Sequence, residues 1–195
     1  MYKHIRTLKL SNDGTLGFVF DSHWKQTNRQ SNEECINDSE CANQANNEVP
    51  FVGESSAIKL NQDNQQNNRE CTDGSECGNT ASNNLNVVGG FEDTINQDSE
   101  QSNEDTSDRS KSNNDSTNNA DISNSANSRI DQHTKQGSED ISEDSESSHK
   151  ASNDAEINNS NNNDASQNNE QETDGCDGGS SCGSDAGNTA TFDDE

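Results

Sequence analysis

The apolar positions along this chain are few, and they fall in phase. Trp24, Leu60, Ile95, Ile130 and Ala165 form one series. Val49, Leu85, Ala120, Ala155 and Ala190 form a second, and Phe51, Val87, Ile122, Ile157 and Phe192 a third. The first step in each series is 36 residues and the other three are 35. Polar positions keep the same beat. Gln26, Gln62, Gln97, Gln132 and Gln167 stand two residues after the first series, and Gln30, Gln66, Gln101, Gln136 and Gln171 stand four further on. Ala45, Ala81, Ser116, Ala151 and Ala186 follow, then Asn47, Asn83, Asn118, Asn153 and Asn188 without exception. Self-similarity at one fixed period is the signature of a stacked repeat architecture. The one-residue slip lies between Phe51 and Leu60, which predicts an exposed loop at Val52–Ser56, where indels are tolerated.

Within a unit the pattern alternates. Trp24, Gln26, Asn28, Gln30 and Asn32 share one parity, while Lys25, Thr27, Arg29, Ser31 and Glu33 share the other. Asn43, Ala45, Asn47, Val49 and Phe51 repeat the arrangement further along. Side chains alternate between the faces of a strand, so each set lies on one face. The in-phase parity carries amides and aliphatics and points inward; the variable parity carries charges and points outward. Between the two segments lie turn formers, such as Thr72-Asp73-Gly74-Ser75-Glu76. The prediction is an all-β fold, a β-solenoid of about five 35-residue strand-turn-strand coils plus an N-terminal half coil. Residues 1–23 form an N-terminal segment with a partial repeat, in which Leu10, Asn12 and Leu16 lie 35 residues before Ala45, Asn47 and Phe51. Five tandem repeats fill residues 24–195, at 24–59, 60–94, 95–129, 130–164 and 165–195. Trp24 reads as a core or capping aromatic of the first coil.

Amides are tolerated inside only when they are hydrogen-bonded. Stacking supplies the partners. If Gln26 lies over Gln62 and Gln62 over Gln97, about 4.8 Å apart, each carboxamide donates to one neighbour and accepts from the next. The two glutamine series and the Asn47 series are therefore predicted to be ladders. A ladder breaks at one missing rung, whereas aliphatic residues interchange at modest cost. This explains why the glutamines keep register more strictly than the apolar positions.

The six cysteines share the register, as Cys35 and Cys41, Cys71 and Cys77, and Cys176 and Cys182. At the equivalent positions the intervening units carry Thr106 with Ser112 and Ile141 with Ser147. Paired cysteines in phase suggest a disulfide framework formed in an oxidising compartment. Local pairs, each closing its own turn, use all six. Pairing between coils, such as Cys35 with Cys71, is compatible with the stacking distance, but it leaves Cys176 and Cys182 without partners in the fourth unit. Zinc is the weaker reading, because His4, His23, His133 and His149 do not accompany the pairs.

Composition changes the picture in one respect. Only 22% of residues are hydrophobic and the net charge is -26, values that on their own describe an intrinsically disordered acidic protein. The register argues against that reading, since a disordered chain has no need of five units in phase. The acidic balance predicts no nucleic-acid partner and no attraction to anionic membrane surfaces. No apolar run is long enough for a membrane span. The first residues do not form a signal peptide as they stand. No nucleophile elbow, phosphate loop or metalloprotease helix occurs, so an enzyme is not expected. Acidic turns such as Asp73-Gly74 and Asp177-Gly178-Gly179 offer hard oxygen ligands, which makes Ca2+ the one possible cofactor, with the metal residues unassigned.

The chain resembles, in design, the curlin repeats of bacterial curli, whose unit Q-x-G-x-x-N-x-A with a further Gln folds as a strand-turn-strand coil. Gln26, Gln30, Asn43 and Ala45 and their periodic equivalents match that unit. The unit here is longer, the glycine is not in place, and curlin repeats lack the cysteine pairs. The resemblance implies an extracellular or cell-surface, self-assembling fibre or biofilm-matrix subunit, a functional amyloid whose partner is itself. The alternative class is a monomeric acidic binding module for ice, glycan or Ca2+. An outward row of Thr would mark ice binding, and Thr27, Asp63 and Asp98 do not keep one.

Overall fold

A computed structural model describes residues 9–10, 16–17, 21–52, 57–89, 92–158 and 161–193. These residues hold twelve strands and no helix: β1 (Lys9–Leu10), β2 (Leu16–Gly17), β3 (Asp21–Cys35), β4 (Glu40–Val52), β5 (Ala57–Cys71), β6 (Glu76–Val88), β7 (Thr94–Thr106), β8 (Lys111–Ser123), β9 (Arg129–Ile141), β10 (Glu146–Asn158), β11 (Asp164–Thr173) and β12 (Ser181–Asp193). Odd strands from β3 stack in one five-stranded sheet, in the order β11-β9-β7-β5-β3. Even strands from β4 stack in the other, in the order β12-β10-β8-β6-β4. All pairings within both sheets are parallel, and each residue faces its equivalent one repeat away, as in Gln26↔Gln62 and Asn47↔Asn83. The chain is a β-solenoid, one odd and one even strand to a coil.

The N-terminal half coil takes another form. Leu10 pairs with Leu16 in a two-stranded antiparallel sheet, β1 with β2, separate from both stacks. Asn12 and residues 53–56 of the expected loop lie outside the described residues, while Val52 closes β4. The side chain of Trp24 is likewise not described; its backbone pairs with Leu60.

The strands run longer than the alternating segments, and the reason is a bulge repeated at one level. Glu34, Glu70, Asp105 and Asp140 adopt left-handed backbone conformations, with φ of 58°, 57°, 54° and 54°. Pairing skips them and resumes at Cys35↔Cys71 and Cys71↔Thr106. One extra residue flips parity. Asn68 at an even position and Cys71 at an odd one therefore both point inward, each 1% exposed. The turn that follows uses two consecutive left-handed residues, such as Asp73 (φ 56°) with Gly74 (φ 77°) or Glu143 (φ 58°) with Asp144 (φ 59°). Each turn stacks on the next, with Asp38 N donating to Asp73 O at 3.0 Å and Gly74 N to Asp108 O at 2.9 Å. A Cβ at Gly74 would press on the Asp38 carboxylate, which would have to shift, whereas Asp38, Arg109 and Asp144 carry side chains at the same turn position in other coils.

The interior is zoned. Leu60, Leu85, Val87, Ile95, Ala120, Ile122, Ile130, Ala155 and Ile157 form an aliphatic cluster at one side of the coil. Cys35, Cys71 and Cys77, with Cys41 against them, form a sulfur cluster beside the tight turns. Carboxamides fill the space between.

Candidate functional site

The alternation of β5, β7 and β9 aims Gln62, Gln97 and Gln132 at the interior, where each is 1% exposed. Stacking then sets carboxamide over carboxamide. Gln62 Nε2 donates to Gln26 Oε1 at 3.0 Å, Gln97 to Gln62 at 2.9 Å, Gln132 to Gln97 at 2.8 Å and Gln167 to Gln132 at 2.8 Å. The second column runs the same way, from Gln66 to Gln30 at 2.9 Å, Gln101 to Gln66 at 2.8 Å, Gln136 to Gln101 at 2.8 Å and Gln171 to Gln136 at 2.9 Å. The amide's second N–H crosses the interior. Gln97 Nε2 reaches Asn83 O at 3.2 Å and Asn119 O at 2.9 Å, which ties β7 to both β6 and β8. Each odd strand thus sits between the levels of two even ones.

The asparagine column runs in the opposite sense. Asn47 Nδ2 donates forward to Asn83 Oδ1 at 2.9 Å, Asn83 to Asn118 at 2.8 Å, Asn118 to Asn153 at 2.9 Å and Asn153 to Asn188 at 3.1 Å. The glutamine columns point their donors toward the N-terminal coil, and the asparagine columns point theirs toward the C-terminal coil.

Further columns had not been singled out from the sequence as ladders. Asn32 donates to Asn68 at 3.0 Å and Asn68 to Asn103 at 3.1 Å. Asn43 donates to Asn79 at 3.0 Å and Asn79 to Asn114 at 2.9 Å, and the column then meets His149 Nδ1 at 3.2 Å. In the Asn28–Asn64 column, Ser99 and Thr134 substitute hydroxyls for amides; Asn83 Nδ2 donates to Ser99 Oγ and Asn118 Nδ2 to Thr134 Oγ1, both at 3.1 Å. A serine column closes the tight turns: Ser39 N donates to Ser75 Oγ at 3.2 Å, Ser75 N to Ser110 Oγ at 3.1 Å and Ser145 N to Ser180 Oγ at 3.2 Å. The strict phase of Ser39, Ser75, Ser110, Ser145 and Ser180 was the signal available for it.

The disulfides join Cys35 to Cys41, Cys71 to Cys77 and Cys176 to Cys182, with Cα separations of 6.1, 6.3 and 6.5 Å. Each spans its own turn. Disulfides of this kind persist in oxidising environments. Among the described residues, one group of three potential metal ligands lies within 4.8 Å of one another, the sulfurs of Cys35, Cys71 and Cys77, and all three are already in disulfides.

Most charged side chains lie on the outer face, where like residues also stack; Asp93, 1% exposed, is a buried exception that accepts from Ser128 Oγ at 3.5 Å. Burial raises the Asp63 pKa, helped by Asp98 one coil away. Burial likewise raises Asp121, helped by Glu156. A hydrogen bond with Asp108 raises Glu143 on the turn column. Among the described side chains the one buried imidazole is His149, whose pKa is lowered by burial and whose Nε2 has no hydrogen-bond partner.

The two ends of the stack differ from its middle. Inward residues of β3 are less covered than those of β5, with Gln26, Asn28 and Asn32 half-buried and Gln30 exposed. Inward residues of β11 are half-buried, and every residue of β12 except Cys182 is exposed, with Phe192 at 51%. Among the described residues, no strand pairs with the outer edges of β3, β4, β11 or β12. Nor is any helix there long and apolar enough to cross a membrane. Comparison of the chain with protein-family models, with curated proteins and with solved structures finds no match.

Proposed function

We propose that this chain is a structural subunit that assembles with itself, end to end, into an extracellular fibre or matrix of the curlin type. One observation carries the reading: carboxamide columns span the full stack and reach both ends, where no described strand pairs with the outer edges. Open edges recruit further strands. Continuing a ladder satisfies amide groups that otherwise depend on water. The three disulfides support an oxidising, extracellular setting. The scarcity of buried apolar side chains supports a structural role, because the stack depends on repeated hydrogen bonds more than on a large core. Nothing in this reading requires catalysis, a membrane span or nucleic acid. Net charge of -26 opposes association, so salt, Ca2+ or mild acid is expected to favour it by screening or neutralising carboxylates.

The test is negative-stain microscopy with sedimentation, on concentrated protein in low salt and in salt with Ca2+. Filaments in the second condition support the reading. A protein that stays monomeric by light scattering in both conditions overturns it, and leaves a monomeric acidic binding module.

A further inference from the structure

The end-facing groups of the ladders are not equivalent at the two ends. At β11, Gln167 and Gln171 spend their Nε2 groups on Gln132 and Gln136 behind them. Their Oε1 atoms face forward, and no described donor reaches them. At β12, Asn188 Oδ1 already accepts from Asn153 at 3.1 Å and from Asn169 at 2.8 Å. Its Nδ2 is left with a 3.5 Å approach to Gln167 O. The forward end therefore offers acceptors on the glutamine columns and a donor on the asparagine column. The backward end offers the converse. Gln26 Oε1 and Gln30 Oε1 are taken by Gln62 and Gln66. Gln26 Nε2 has only a 3.3 Å bond to Glu48 O, and Gln30 Nε2 has no described partner. Asn47 has sent its Nδ2 inward to Asn64 and Asn83, so its oxygen faces back.

We propose that a second copy of this chain docks head to tail on the β11–β12 end, its β3 lying parallel on β11 and its β4 parallel on β12. This deepens the self-assembly reading above and rests on it. In that register Gln26 and Gln30 of the incoming copy donate to Gln167 and Gln171, and Asn188 donates to Asn47 of the incoming copy. Each ladder crosses the junction in its own direction, and the exposed Phe192 is covered by the coil above. Two C-terminal ends placed face to face would run the abutting strands antiparallel and set carboxamide oxygen toward carboxamide oxygen. The junction is thus heterologous. Repeated, it makes a polar filament and not a closed dimer.

Outer-face cysteines test the register. Thr27 and Asn168 belong to one outward column, Thr27↔Asp63↔Asp98↔His133↔Asn168, and both are exposed. Across the proposed junction their Cα atoms stand about 4.8 Å apart, within disulfide reach. All six native cysteines are paired, so an added thiol is the one free thiol. Thr27→Cys and Asn168→Cys proteins are mixed under assembly conditions, oxidised and run without reductant; Lys25→Cys with Ser166→Cys repeats the test on the neighbouring column. The expected product is a dimer joining one variant to the other, with neither variant cross-linking to itself. Asn168→Cys joined to itself, or filaments that pellet without the mixed product, overturns the head-to-tail junction and leaves self-assembly standing. Failure to pellet at all overturns both.

Discussion

At the scale of single residues, Gln97 shows what holds the molecule together. Its carboxamide makes three donor contacts and accepts from Gln132. Replacing it with leucine keeps the volume and strands these partners in a dry interior. Each stranded group costs about 1–3 kcal/mol, so Gln97→Leu is expected to destabilise by roughly 3–5 kcal/mol. Lys25→Leu, on the outer face, should stay within about 0.5 kcal/mol. Urea unfolding of both proteins checks the contrast. His149 is the flawed rung. The unfolded chain binds the imidazole proton with a pKa of about 6.5, and burial lowers the folded value. The unfolded state therefore takes up the proton first, and stability present above that pH is lost as pH falls below it. His149→Asn supplies an amide in the same column and removes the titration. Its advantage over the native protein should grow between pH 7.5 and pH 5.5, read as the difference in urea midpoints; because both proteins carry the same carboxylates, that difference isolates the imidazole. These inward columns were legible in the sequence where one residue type repeats through all five units at a strand position, as at Gln26 and Asn47. They were hidden where chemistry repeats and identity does not, as at Asn64–Ser99–Thr134.

At the scale of elements, alternation gave the strands and Asp-Gly or Asn-Asp pairs gave the tight turns. The bulge was not legible, because a left-handed Glu or Asp resembles any other acidic surface residue. Its trace is the odd-even conflict between Asn32 and Cys35, both of which had to face inward for the cysteines to sit beside the turn. The N-terminal half coil failed for a different reason. Leu10, Asn12 and Leu16 match one even strand by spacing, but Leu10 stands where the other units carry Ala or Ser, and no glutamine-bearing odd segment accompanies them. The disulfides differ in shelter. Cys71 and Cys77 are 1% and 0% exposed, whereas Cys176 is exposed and Cys182 half-buried. A thiol reductant under native conditions should open Cys176–Cys182 first and Cys71–Cys77 last, as alkylation and peptide mass spectrometry can follow. Each bond closes a loop with a sequence separation of only 6. Losing one is expected to cost only about 2 kcal/mol from chain entropy.

At the scale of the whole molecule, charge opposes what the ladders favour. The sequence has 38 acidic residues against 12 lysines and arginines, and stacking sets many of the acids over one another. Glu34, Glu70, Asp105 and Asp140 form one such column. Cross-coil pairs such as Lys111–Glu146 at 3.3 Å and Arg69–Glu104 at 3.7 Å relieve only part of it, and exposed pairs contribute little. Spacing of about 4.8 Å lies well inside the screening length of about 30 Å at 0.01 M salt. Raising NaCl should therefore raise the urea midpoint of the single subunit, measured at concentrations too low for assembly.

The uniform level-by-level geometry has a consequence for how such a chain can change its length. Every coil meets the next through the same columns, so Thr94 and Arg129 occupy one position and are followed by Ile95 and Ile130. Excising residues 95–129 would join Thr94 to Ile130 and set Gln62 beneath Gln132, with no column out of step. A gene of this kind can lose or duplicate a whole unit in one event and still encode a solenoid. A deletion of an odd number of residues within a strand turns the residues beyond it in that strand onto the wrong face, and a short even one moves them off their columns.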